Sequence, residues 1–170
     1  MNTFDAFAIL VTKYFDYLEK DYGYTIALEP SKSSVSYELD SKQVSIFWDY
    51  TQHHELDLAI FPIPIRQQIP FPSVDIVRIM ELKDPKTYGS YFSPFPSTLE
   101  ELETEIIELA GLLKKYGSDI LPKNISFDNI YKRAQHIRGI KHENLQEIQE
   151  NNKRLDNYYR HKYPTRWKSK

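Results

Sequence analysis

His53-His54-Glu55, flanked by Asp49 and Asp57, is the one place in the sequence where ligand-type side chains crowd together. Imidazole nitrogens and carboxylate oxygens hold zinc and similar ions, and a metal so held makes a hydrolytic nucleophile of its bound water. The spacing argues against that chemistry. A zinc-protease helix needs its second histidine four residues after the first; here the histidines adjoin and no partner ligand follows. The reading this leaves is a solvated hairpin end. Metal-dependent hydrolysis stays as a second alternative, with His53 and His54 as the candidate ligands. No serine sits in a nucleophile elbow, and the 5 glycines form no phosphate-cradling loop. The absence of cysteine excludes thiolate zinc sites, disulfides and a thiol nucleophile together. No catalytic residue and no cofactor is expected, and an enzyme is not the leading reading.

A second cluster lies near the end. Tyr158, Tyr159, Tyr163 and Trp167 interleave with Arg160, His161, Lys162, Arg166 and Lys168. Aromatic rings that stack on bases, alternating with cations that meet phosphates, suit single-stranded nucleic acid. Tyr159, Arg160, Lys162, Arg166 and Trp167 would carry that alternative function. The sequence pI of 6.2 speaks against it. Charge is unevenly placed, however. Of the 22 Lys/Arg and 24 Asp/Glu, eleven and four lie from Ile130 to Lys170, which leaves that segment at +7 and the remainder at −9. Such a split points to electrostatic pairing, internal or with a partner. A third group comes from the 13 tyrosines, a residue type enriched at protein interfaces. Tyr88, Tyr91 and Phe92, in a proline-punctuated loop, are the ones expected at a contact surface.

These side chains need elements to position them. The 170 residues, 41% hydrophobic and 27% charged, suit one globular domain with its own core. Phe4, Phe7, Ala8, Val11, Phe15 and Leu18 recur at helical spacing, and Gly23 stops that helix. From Tyr24 to Phe61 the period falls to two, giving four strands that read as an antiparallel meander, one face buried and one wet. The loop at 50–54 then sets Asp49 opposite Glu55 and Phe47 opposite Asp57. Opposed like charges are unfavourable unless solvated or met by a cation, so this acidic surface suits a basic partner, the chain's own C-terminus among the candidates.

Pro62, Pro64, Pro70 and Pro72 close the sheet. A short helix capped by Ser73 runs to Leu82, and an aromatic loop follows. Ser97-Thr98-Leu99-Glu100 reads as a capping box for a long helix seamed by Leu102, Ile106, Leu109 and Leu113. Another helix starts at Ser126 and runs to about Ile137, with Gly139 as a break. A last basic helix runs from about Ile140 to His161, seamed by Leu145, Ile148, Asn152, Leu155 and Tyr159. The expected fold class is α+β: a four-stranded antiparallel meander covered by an N-terminal helix, followed by a C-terminal helical region. The single domain divides into helix plus sheet (1–62), connector (63–96), packed helices (97–139) and basic helix with tail (140–170). No signal peptide or membrane span is visible, so a cytoplasmic location is expected.

The succession of Tyr22-Gly23-Tyr24, Ser36-Tyr37-Glu38, Glu55-Leu56-Asp57-Leu58, Leu109-Ala110, Lys115-Tyr116-Gly117 and Ile120-Leu121 resembles small uncharacterised bacterial proteins. Some of these are similar to the immunity proteins of polymorphic-toxin loci. The likeness spans the chain to about Gln135 and carries over no catalytic residue. It implies a stoichiometric binder that occludes a toxin. The expected function is thus a non-enzymatic protein-binding module, using Asp49, Glu55 and Asp57 with Tyr88, Tyr91 and Phe92. Nothing in the sequence sets an oligomeric state.

Overall fold

The computed structural model describes residues 3–29, 33–50, 55–63, 72–83 and 94–141, with Lys153, Asn157 and His161 beyond them. Residues two apart on a helix point away from each other, yet Phe15 and Tyr17 are both buried and stack at 6.1 Å. The N-terminal helix meets this demand by breaking. Helix α1 (Thr3–Tyr14) ends, the chain tightens through Leu18 N–H to Phe15 O, and α2 (Tyr17–Tyr22) continues at a new angle. Gly23 closes α2 at φ 77°, its N–H donating to Glu19 O while Tyr24 N–H reaches Leu18 O. That left-handed position favours glycine.

Strict alternation then builds β1 (Thr25–Glu29), β2 (Ser34–Leu39), β3 (Lys42–Asp49) and β4 (Glu55–Pro62). The class and meander order match expectation, but the sheet has five strands, in the order β1-β2-β3-β4-β5. The fifth, β5 (Val74–Asp75), pairs with Ala59 and Ile60 and brings the proline-rich connector into the sheet. Helix α3 (Ile76–Lys83) follows directly, so Ser73 does not cap it. Asp75 does, its Oδ1 accepting from Arg78 N–H at 2.9 Å.

Val35, Tyr37, Val44, Ile46, Trp48, Leu56, Leu58, Ile60 and Val74 share one face and are buried beneath the helices. Phe7 meets Trp48 at 5.9 Å, and Phe15 meets Tyr37 at 6.4 Å. Helix α4 (Leu99–Gly117) packs on α1 and α3, and α5 (Phe127–Lys141) packs on α3, β4 and β5. The capping box of α4 lies one residue later than expected. Thr98 Oγ1 accepts from Glu101 N–H, and Glu101 accepts in return from Ser97 N–H at 2.7 Å. Gly139 does not break the chain: α5 runs through it to Lys141 and takes in Ile140. A helix with packed neighbours tolerates the roughly 1 kcal/mol that an interior glycine costs.

The loop between α4 and α5 is tied to the β2–β3 turn by a lysine. Lys42 is 1% exposed, and its Nζ donates to Ile120 O (2.9 Å), Pro122 O (2.6 Å) and Ile125 O (2.7 Å). Tyr24 Oη adds a bond to Leu121 O at 3.0 Å, and Lys123 pairs with Asp40 at 3.5 Å.

Candidate partner-binding face of the sheet

Alternation that sends the large apolar residues to the helices must send their neighbours to the opposite face. The register places three rows there: Glu29-Ser34-Phe47-Asp57, then Ala27-Ser36-Ser45-Ala59-Asp75, then Thr25-Glu38-Gln43-Phe61. Asp49 and Glu55 face each other at the end of the same surface. The expected pairings of Asp49 with Glu55 and of Phe47 with Asp57 are therefore found. All six strand carboxylates, Glu29, Glu38, Asp49, Glu55, Asp57 and Asp75, fall on this face, and none falls on the helix side. The sheet's one basic residue, Lys42, lies on the other face with its ammonium engaged by carbonyls.

The centre of the face is small and apolar to weakly polar. Phe47 and Phe61 stand on either side of the Ser45–Ala59 pair and meet edge to face at 5.7 Å. Ser36 and Ser45 share a hydrogen bond of 2.9 Å, and Gln43 Nε2 donates to Ser45 Oγ at 3.0 Å. This face was expected to be wet, and its centre is not: Ser34, Ser36 and Ser45 are each 1% exposed. Ser34 Oγ is buried without a hydrogen-bond partner. Such groups are uncommon, because an unpaired hydroxyl out of water costs roughly 1–3 kcal/mol. The rim is more open, with Glu38 and Glu55 exposed and the other four carboxylates partly covered.

Burial shapes the charge of Asp57. It pushes the carboxyl up from the usual 3.8 to about 6, with Asp75 and Glu55 adding repulsion, while the Leu58 N–H bond to Oδ1 (2.7 Å) pulls the other way. The face thus gains negative charge as pH rises through 6. Asp75 is partly answered by Arg78, 3.5 Å away on α3.

Of the residues expected at a site, Asp49, Glu55 and Asp57 are brought together on one surface. His53, His54, Tyr88, Tyr91, Phe92, Tyr159, Arg160, Lys162, Arg166 and Trp167 lie outside the described residues. Among the described residues no three His, Cys, Asp or Glu side chains are grouped to hold a metal ion. No helix among them is long and apolar enough to cross a membrane. Sequence reasoning missed Asp75 because the two-residue strand that orients it carries no periodic signal. It also missed the buried serines, whose alternate positions were visible but whose side chains looked solvated. No family model, curated protein or solved structure matches the chain.

Proposed function

We propose that this protein is a non-enzymatic binding module whose acidic sheet face receives a basic protein partner, in the manner of an immunity protein occluding a toxin. The carrying observation is the segregation of all six strand carboxylates onto the face turned away from the helices, around a flat aromatic and serine centre. A one-signed surface speeds encounter with an oppositely charged partner and rejects like-charged ones. Phosphate is repelled by the same field, which counts against nucleic acid as ligand of this face.

The test is co-expression with the products of neighbouring genes, scored by a stable stoichiometric complex and by relief of any toxicity. Asp49→Lys with Glu55→Lys should weaken the complex by at least tenfold, because each change reverses a charge at the rim. The parent should gain affinity between about pH 5 and 7 as Asp57 ionises, and Asp57→Asn should remove that gain. If no neighbour's product binds, or if the charge-reversed chain binds equally well, the reading fails.

A further inference from the structure

The two edges of the sheet are built differently. At one, β5 is two residues long and passes at once into α3, which leaves little backbone to pair with. At the other, β1 runs from Thr25 to Glu29 in unbroken register with β2, without proline, lysine or bulge. Those are the devices that keep edge strands from pairing with other chains. Among the described residues no strand lies on the outer side of β1.

Hydrogen-bond parity fixes which groups that edge offers. Trp48 N–H donates to Ser33 O at 3.0 Å, so the odd-numbered residues of β2 bond to β3 and the even-numbered ones to β1. Ser34, Ser36 and Glu38 lie opposite Glu29, Ala27 and Thr25, whose backbone groups are thereby turned into the sheet. Ile26 and Leu28 are left with N–H and C=O pointing out of it. Their side chains extend the apolar helix side, opposite Tyr37 and Val35, and Leu28 is 54% exposed, so no helix overhangs it.

A second copy of the strand is the complement of this edge. Antiparallel pairing about Ala27 sets Ile26 against the partner's Leu28 and Leu28 against the partner's Ile26, so every outward donor meets an outward acceptor. The neighbouring registers fail. Centred on Ile26, Leu28 O faces the partner's Tyr24, whose N–H donates to Leu18 O. Centred on Leu28, Ile26 O faces the partner's Pro30, which has no N–H. Pairing about Ala27 also gathers Ile26 and Leu28 of both copies into one apolar cluster. Glu29 falls opposite the hydroxyl of the partner's Thr25. The two copies of Glu29 are about 13 Å apart, further than the roughly 10 Å over which exposed charges interact at 0.1 M salt.

We propose that the protein forms a twofold dimer through β1, which joins two five-stranded sheets into one continuous sheet. The axis runs perpendicular to the sheet through the Ala27 pair, so both acidic faces look the same way. The dimer does not depend on the function proposed above.

The chain has no cysteine, so introduced thiols read the register directly. In the full chain, Ala27→Cys sets two thiols opposite each other at a non-hydrogen-bonded pair, with Cα atoms about 4.5 Å apart and within disulfide reach. Mild oxidation should cross-link it at least tenfold faster than Thr25→Cys, whose two copies are about 13 Å apart. Light scattering at about 100 µM should give twice the 20.2 kDa of the chain. Leu28→Pro removes an N–H that points outward, so β1 stays paired with β2 while the dimer loses a bond from each copy. Its dissociation constant should rise about 100-fold. Ile9→Lys, at an exposed apolar position of α1, should leave the dimer unchanged. The near-ultraviolet signal of Trp48 against Phe7 checks the core of each variant. A monomer at that concentration leaves the edge to a strand of some other protein and overturns the proposal. So does a dimer that survives Leu28→Pro with its core intact, dissociates with Ile9→Lys, or cross-links as fast through Thr25→Cys.

Discussion

Lys42 is a charged side chain with almost no contact with water, and three carbonyl oxygens take the place of its hydration shell. Burial pushes its ammonium down from 10.5 to about 8, with Asp40 opposing. Two effects compete when it is replaced. Removing a buried charge relieves desolvation, but Lys42→Met leaves the carbonyls of Ile120 and Ile125 with no donor, while Pro122 O keeps only its bond from Ile125 N–H. At roughly 1 kcal/mol or more each, the orphaned carbonyls outweigh the relief, and the variant should lose about 2–3 kcal/mol at pH 7 in urea unfolding. The pH profile carries a second signature. The folded pKa lies below the unfolded one, so between about pH 8 and 10.5 the unfolded chain holds the extra proton and stability rises with pH. Buried Tyr17, Tyr24 and Tyr37 have raised values, so they oppose this only from about pH 10 upward. Comparing pH 7 with pH 9.5, the parent should gain on Lys42→Met; parallel profiles would show that Lys42 is not the group responsible.

At the scale of elements, the long helix α4 is held at its start by two bonds, Glu101 N–H to Thr98 Oγ1 and Ser97 N–H to the Glu101 carboxylate. Thr98→Ala should cost about 1 kcal/mol, read as a lowered midpoint with unchanged slope in urea; no change would mean Ser97 takes over the cap. That one-residue shift shows how far the sequence was legible. Ser97 and Thr98 are both good caps, each with a glutamate three residues on, and only the backbone angle chooses between them. The meander was readable down to the facing of Asp49 with Glu55, because alternation with period two leaves no freedom once one face is buried. Strand β5 was not, since two residues cannot display a period, and its Asp75 cap looks in sequence like any acid two residues after a serine. The α1–α2 break was hidden as well: Phe15 and Leu18 continue the helical spacing, and only the burial of Tyr17 forces the turn. Of the candidate site, the acidic trio was legible by type and register. Its covered centre was not, because serine on a strand is silent about what lies above it.

Taken whole, the molecule is a sheet with one greasy face and one acidic face, and its corners are closed by contacts between residues far apart in the chain. The ammonium of Lys42 lies 78 to 83 positions before the carbonyls that receive it. This has a consequence for birth on the ribosome, where the chain appears from its start. Strands β1 to β4 emerge long before Ile120, Pro122 and Ile125, and until those carbonyls arrive the lysine has nothing to replace its water. Until they do, the β2–β3 corner has no cover, and its lysine stays in water. The first 62 residues therefore wait, open, for the last helices to be made, and folding is late by construction. Ribosome-stalled chains should show this directly. Those exposing no more than Gly117 should be cut by protease within the strands, and those exposing α5 should be protected. Equal resistance in both would mean that the sheet can close before its lysine is met.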